Sequence, residues 1–149
     1  MLLRFAITIP LLVRAIYTDL KNEKIENRLL FVAMLVGTCL FLKVDGLSVV
    51  LNGYRMAVIM ILALFLLFLI KGLGAGDIKL LAVLSFYYPD YSVRIVVTAF
   101  MLAGGFALLK MLYRGIRRER VFVRDETIHF SIPVAVSVVW VLGMDYLFV

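Results

Sequence analysis

The sequence predicts an all-α polytopic membrane protein of about six transmembrane helices in one domain spanning residues 1–149. Three observations carry that expectation. Hydrophobic residues make up 64% of the 149 and charged ones 17%, with a mean hydropathy of +1.07, which leaves too little polar surface for a water-soluble domain of this size. The run Met56 to Ile70 carries no charge at all. Elsewhere the charges gather between apolar runs, as loops between membrane spans do. The single cysteine, Cys39, lies in an apolar run and supports neither a disulfide framework nor a Cys-x-x-Cys metal site.

The first apolar segment runs from Leu2 to Thr18 and contains Arg4, Pro10 and Arg14. Arg14 breaks the apolar stretch and no small-x-small cleavage pattern follows, so it reads as a retained helix and not as a signal peptide. The polar stretch from Asp19 to Arg28 reads as a loop or interfacial turn, with Ile25 and Leu20 its only apolar residues. Leu29 to Leu42 forms a second span, short unless Asn27 and Arg28 extend it by snorkelling. Lys43-Val44-Asp45-Gly46 turns the chain. A third span starts between Leu47 and Arg55 and ends at Ile70. The fourth, Ile78 to Tyr88, is stopped by Pro89-Asp90 and is short, which suggests that it begins before Asp77 or that the site dips into the bilayer. A fifth runs from Ser92 to Leu112, with Gly104-Gly105 offered for close helix contact. A basic loop leads to the last span, Phe130 to Val149.

Positive charge sets the expected orientation. Of the 16 Lys and Arg residues, eleven fall after the first, third and fifth spans; Arg4, Lys43, Arg55 and Arg94 lie on the other side, and Arg14 lies within span one. That puts the first group in the cytoplasm and both termini outside. The net charge of +6 is then explained by topology and by anionic lipid at the inner leaflet, with no nucleic-acid partner implied. Membrane lipids are the partners this composition calls for.

Within this frame, the stretch Gly74-Ala75-Gly76-Asp77-Ile78-Lys79 places a carboxylate in a glycine-flanked break at a membrane boundary. An ionised Asp costs about 3 kcal/mol in hydrocarbon on insertion scales, so such a residue usually faces protein or trapped water and has a function. Gly74 and Gly76 lack a Cβ, which permits a positive φ or the close approach of an extended peptide. Asp19 falls at the cytoplasmic end of its helix, as Asp77 does. Two carboxylates that share a proton can divide the work, one activating water and the other protonating a departing amine. Against this stands a plainer role for Asp77 as a helix cap, and for Asp19 as a solvated loop charge. Arg14, a turn from Asp19, can stabilise that carboxylate or snorkel, and His129 reads as an interfacial residue.

Asp19 with Lys21, Lys24, Ile25 and Asn27, followed after a long apolar run by Gly74-x-Gly76-Asp77-Ile78-Lys79-Leu80-Leu81-Ala82, resembles the type IV prepilin and preflagellin peptidases, the GxGD intramembrane aspartyl proteases. His129 to Ala135 is similar to the Pro-containing start of that family's last helix. The resemblance covers nearly the whole chain. It implies the GxGD aspartyl protease fold, catalytic Asp19 and Asp77, and a substrate-binding set of Gly74, Gly76, Lys79 and Asn27. It also implies removal of a short basic leader from pilin-like or archaellin precursors at the cytoplasmic face of a prokaryotic inner membrane, with no metal or other cofactor. Where the family usually has Ile-Pro-Asn, this chain has Ile25-Glu26-Asn27. The cysteine-rich zinc insertion and methyltransferase loop of larger members are missing from the pattern, so the compact peptidase-only form is expected. The competing classes are a proton-coupled carrier, which needs acidic residues along a transmembrane path, and a non-catalytic assembly subunit, which needs no pair of aspartates on one side.

Overall fold

The computed structural model describes residues 2–22, 24–116 and 130–148. It contains six α-helices: α1 (Leu2–Asn22), α2 (Asn27–Val44), α3 (Leu47–Leu69), α4 (Ala75–Tyr87), α5 (Ser92–Ile116) and α6 (Ser131–Phe148), with a single 3-10 turn at Pro89–Tyr91. Among the described residues three segments are long and apolar enough to cross a membrane: α2, α3 and Pro89–Tyr113. Their apolar side chains stand open on the surface; Leu62 is 69% exposed and Leu66 71%. Such faces suit lipid and not water. The chain forms two compact units, Met1–Val93 and Arg94–Val149.

The first unit is built around α4. This helix has 13 residues and so spans about 20 Å, short of the roughly 30 Å hydrocarbon layer. Its residues from Leu80 to Tyr87 are all buried, as expected of a helix that is apolar on every side. Two glycines let its neighbours come close. A Cβ on Gly37 of α2 would sit 2.8 Å from the Tyr87 hydroxyl oxygen, and one on Gly53 of α3 would sit 2.7 Å from the Phe86 carbonyl oxygen. Both belong to small-residue pairs four apart, Ala33 with Gly37 and Gly53 with Ala57, the spacing that brings membrane helices together. The Tyr87 hydroxyl donates to the Ala33 carbonyl at 2.7 Å, and the Phe41 ring packs on Phe86 and Tyr87 with centroids at 5.7 and 5.1 Å.

Arg4 ties this end of the unit together. Its guanidinium donates to the Tyr87 carbonyl at 2.9 Å and to Asp45 at 2.7 Å, and it lies over the Phe41 ring. An orphan carbonyl at the end of α4 and a carboxylate at the end of α2 are thereby satisfied from α1.

The connections follow from local chemistry. Gly46 joins α2 to α3 at φ 87°, ψ 173°, a conformation open essentially to glycine alone. After α3, the Lys71 N–H bonds the Phe68 carbonyl and the Gly72 N–H bonds the Leu67 carbonyl. This pattern closes a helix with one left-handed residue, here Lys71 at φ 57°.

In the second unit, Arg94 pairs with Asp145 at 3.8 Å and the Phe100 and Phe130 rings lie 5.2 Å apart. Val134, Ser137 and Val138 of α6 are buried. Gly104 and Gly105 do not make the expected close contact: a Cβ on either would meet nothing within 4 Å. The tight glycine packing belongs instead to Gly37 and Gly53. A second difference concerns the stretch from Asp19 to Arg28, expected to be a loop. Helix α1 continues through Asn22 and α2 already begins at Asn27, so Asp19 is a helical residue. The basic loop around residues 117–124, His129 and Val149 lie outside the described residues.

Candidate active site

Asp77 occupies the third position of α4, ahead of the apolar stretch from Ile78 and outside the three candidate spans. Gly74 is the residue that starts the helix, with an extended backbone at φ −74°, ψ 148°. The Asp77 carboxylate reaches back to accept the Gly74 N–H, the return half of a capping box. Leu73 and Ile78, buried on either side, stand at the spacing of a hydrophobic staple. A Cβ on Gly74 would lie 2.9 Å from Asp77 Oδ2, so the missing side chain is what lets the carboxylate fold back. The plainer role as a cap is therefore real. It does not account for the rest of the environment.

That environment includes Asp19, in the last turn of α1 and 8% exposed. The neighbouring Thr18 hydroxyl donates back to the Ala15 and Arg14 carbonyls at 3.0 and 3.1 Å. Burial, then the Asp19 charge, push the Asp77 carboxyl up to about 6, against the opposing pull of the Gly74 N–H. The fold thus brings two carboxylates from distant parts of the sequence into electrostatic contact. A site of this kind can hold one proton between two acids, the requirement for acid–base chemistry on a water molecule.

The other residues expected in the site lie around this pair. Gly76 faces Ile25: a Cβ added there would meet the Ile25 side chain at 3.4 Å. Neither Gly74 nor Gly76 has a positive φ, so of the two roles open to these glycines only close approach remains. Ile25 is 7% exposed and is the apolar anchor that folds the α1–α2 connection onto the start of α4. Lys79 Nζ donates to Asn27 Oδ1 at 2.9 Å on the surface, joining the first turns of α4 and α2. Arg14 takes Glu26 as its ion-pair partner at 3.8 Å and its guanidinium lies near the Tyr17 ring. Glu26, standing where the resembled family has proline, makes no side-chain cap for α2. Its charge serves the link to α1. Sequence reasoning missed the roles of Ile25 and Glu26, although Ile25 was visible as an apolar residue stranded in a polar stretch.

Among the described residues, no three His, Cys, Asp or Glu side chains gather as a possible metal site. Two acidic residues at other helix ends are engaged, Asp45 with Arg4 at 2.7 Å and Asp145 with Arg94 at 3.8 Å, while Asp90 is exposed.

A family model, the type IV leader peptidase family, matches residues 6–109. The match covers more than half of the chain, includes most of α1 and all of α2 to α4, and contains both aspartates. No curated protein and no solved structure matches the chain.

Proposed function

The chain belongs to the type IV leader peptidase family, and on that premise we propose that it is a membrane-embedded aspartyl endopeptidase with Asp19 and Asp77 as its catalytic pair. One observation carries the reading: Asp77 is pushed up to about 6 by burial and by the charge of Asp19, a perturbation that a solvated helix cap would not experience. In the reaction, Asp77 holds the shared proton and Asp19 accepts a proton from water as the water oxygen attacks the scissile carbonyl. Asp77 then passes its proton to the departing amine. Every proton is accounted for within the pair, the water and the products.

The substrate in this proposal is a pilin-like or archaellin precursor, cut after its short basic leader at the cytoplasmic face of a prokaryotic inner membrane. Gly74 and Gly76, beside Asp77, form the surface on which the leader junction lies; Lys79 and Asn27, expected in the same set, border a separate groove. The six helices act as six spans of one peptidase domain, the fourth crossing from Ile78 onward so that Asp77 stands at the membrane boundary. A proton-coupled carrier is disfavoured because the acidic residues of the other side, Asp45, Asp90 and Asp145, stand near the far surface and form no continuous path across the membrane.

Purified protein in liposomes, given a precursor with a basic leader, a glycine and an apolar helix, should release the leader, detected by mass spectrometry. Activity should survive strong chelators. Loss on chelation with recovery on adding zinc would overturn the mechanism.

A further inference from the structure

In the first unit a groove of about 530 Å³ runs between α2, α3 and α4, within the roughly 300–1,000 Å³ of ligand sites. Its composition is graded along its length. Asn27, Arg28 and Lys79, from the first turns of α2 and α4, form one end; Phe31, Ile61 and Val83 line the rest. Neither Asp19 nor Asp77 borders it. Among the described residues, neither Arg28 nor Lys79 has a carboxylate partner, and Lys79 is held in place by its bond to Asn27 Oδ1. That bond leaves the Asn27 NH₂ as a further donor beside the two cations.

We propose that this groove is a binding site for an anionic phospholipid, with the phosphate on Arg28, Lys79 and the Asn27 amide and an acyl chain along Phe31, Ile61 and Val83. Charge decides the occupant. A basic leader peptide is repelled by Arg28 and Lys79, which have no carboxylate partner among the described residues, whereas a lipid phosphate supplies an anion and its tail covers the apolar length. The cationic end shares the membrane face of Asp77, which the positive-inside pattern assigns to the cytoplasm, where anionic lipids are concentrated. The groove contains none of the catalytic pair, so this inference stands whether or not the chain cuts leader peptides.

Native mass spectrometry of the detergent-solubilised protein, titrated with phosphatidylglycerol or phosphatidylcholine of matched chains, tests the site. The protein should retain phosphatidylglycerol in preference, and R28Q/K79Q should weaken that binding about 30-fold while weakening phosphatidylcholine binding, whose phosphate is offset by its own choline, much less. Because Gln could perturb the Asn27 contact, R28K/K79R serves as the second variant: it keeps both charges and should keep the preference. Inorganic phosphate at millimolar concentration should not displace the lipid, having no tail to fill the groove. Equal retention of the two lipids, unchanged binding by R28Q/K79Q, loss of preference in R28K/K79R, or displacement by phosphate alone would each overturn the proposal. So would displacement of phosphatidylglycerol by a precursor's apolar helix that binds equally well to R28Q/K79Q, which would make the groove a substrate site.

Discussion

Replacing Asp77 with Asn should make the protein more stable at neutral pH and flatten its response to pH. The Asp77 carboxyl rises from 3.8 to about 6 on folding, so the folded state holds this proton more tightly than the unfolded chain does. Below about pH 4 the group is neutral in both states and imposes no penalty. As pH climbs from about 4 to 6 the unfolded chain ionises first and stability falls; above about 6 the whole penalty is present. A rise of about two pH units corresponds to roughly 3 kcal/mol at most. Solvent reaches part of the carboxyl, so roughly 1–2 kcal/mol is the expected size. Asn preserves the shape and still accepts the Gly74 N–H, which isolates the charge. For a chain of this length that gain is roughly 3–8 °C in melting temperature. Thermal unfolding followed by circular dichroism in detergent, at pH 4 and pH 7, measures it. A D77N melt at or below that of the unaltered protein at pH 7, or a gain of the same size at pH 4, would refute the reasoning.

Three further outcomes follow from the geometry. Because the working pair carries one proton and Asp77 holds it, kcat/KM should fall about tenfold per pH unit as pH rises above about 6; a flat profile from pH 6 to 8 would remove Asp77 as the proton holder. Gly53→Ala should destabilise by about 1–3 kcal/mol, since its Cβ would meet the α4 backbone at 2.7 Å, while Gly104→Ala, facing open space, should not; equal melting temperatures for the two would contradict the packing described. Gly76→Ala should keep most of the cleavage activity, because a methyl group fits at ordinary contact distance from Ile25, whereas Gly76→Val should displace that connection and lose at least tenfold in rate; a Val variant with normal rate would show that the Ile25 contact does not shape the site.

Much of the architecture was legible because charges, prolines and glycines punctuate the apolar runs. Ser92 as the start of α5 and Gly46 as the α2–α3 joint could be read directly. The extent of α1 could not: Asp19 looks like a loop residue until it is known to be buried, and burial is set by tertiary packing. The start of α3 was hidden by Asn52 and Arg55, which satisfy each other one turn apart at 2.9 Å and so sit within the helix. Helix α4 begins at Ala75, ahead of Asp77, as its shortness suggests; the Asp77 carboxylate that caps this start is a contact that spacing alone leaves open. Arg4 read as one more outward charge, since its three partners come from α2 and α4. For the site, the residue types at 74–79 were informative in themselves, while the closure of Ile25 over Gly76 and the Arg14–Glu26 pair required the tertiary structure.

The central claim is that two carboxylates, and only together, cut the precursor. Co-expression of a pilin-like precursor with D19N and D77N, each checked for membrane insertion, followed by intact-mass measurement of the precursor, tests it most directly. Both variants should leave the leader attached while the unaltered protein removes it, since the amide keeps the shape of each side chain but cannot exchange the proton. Efficient processing by either variant would contradict the account.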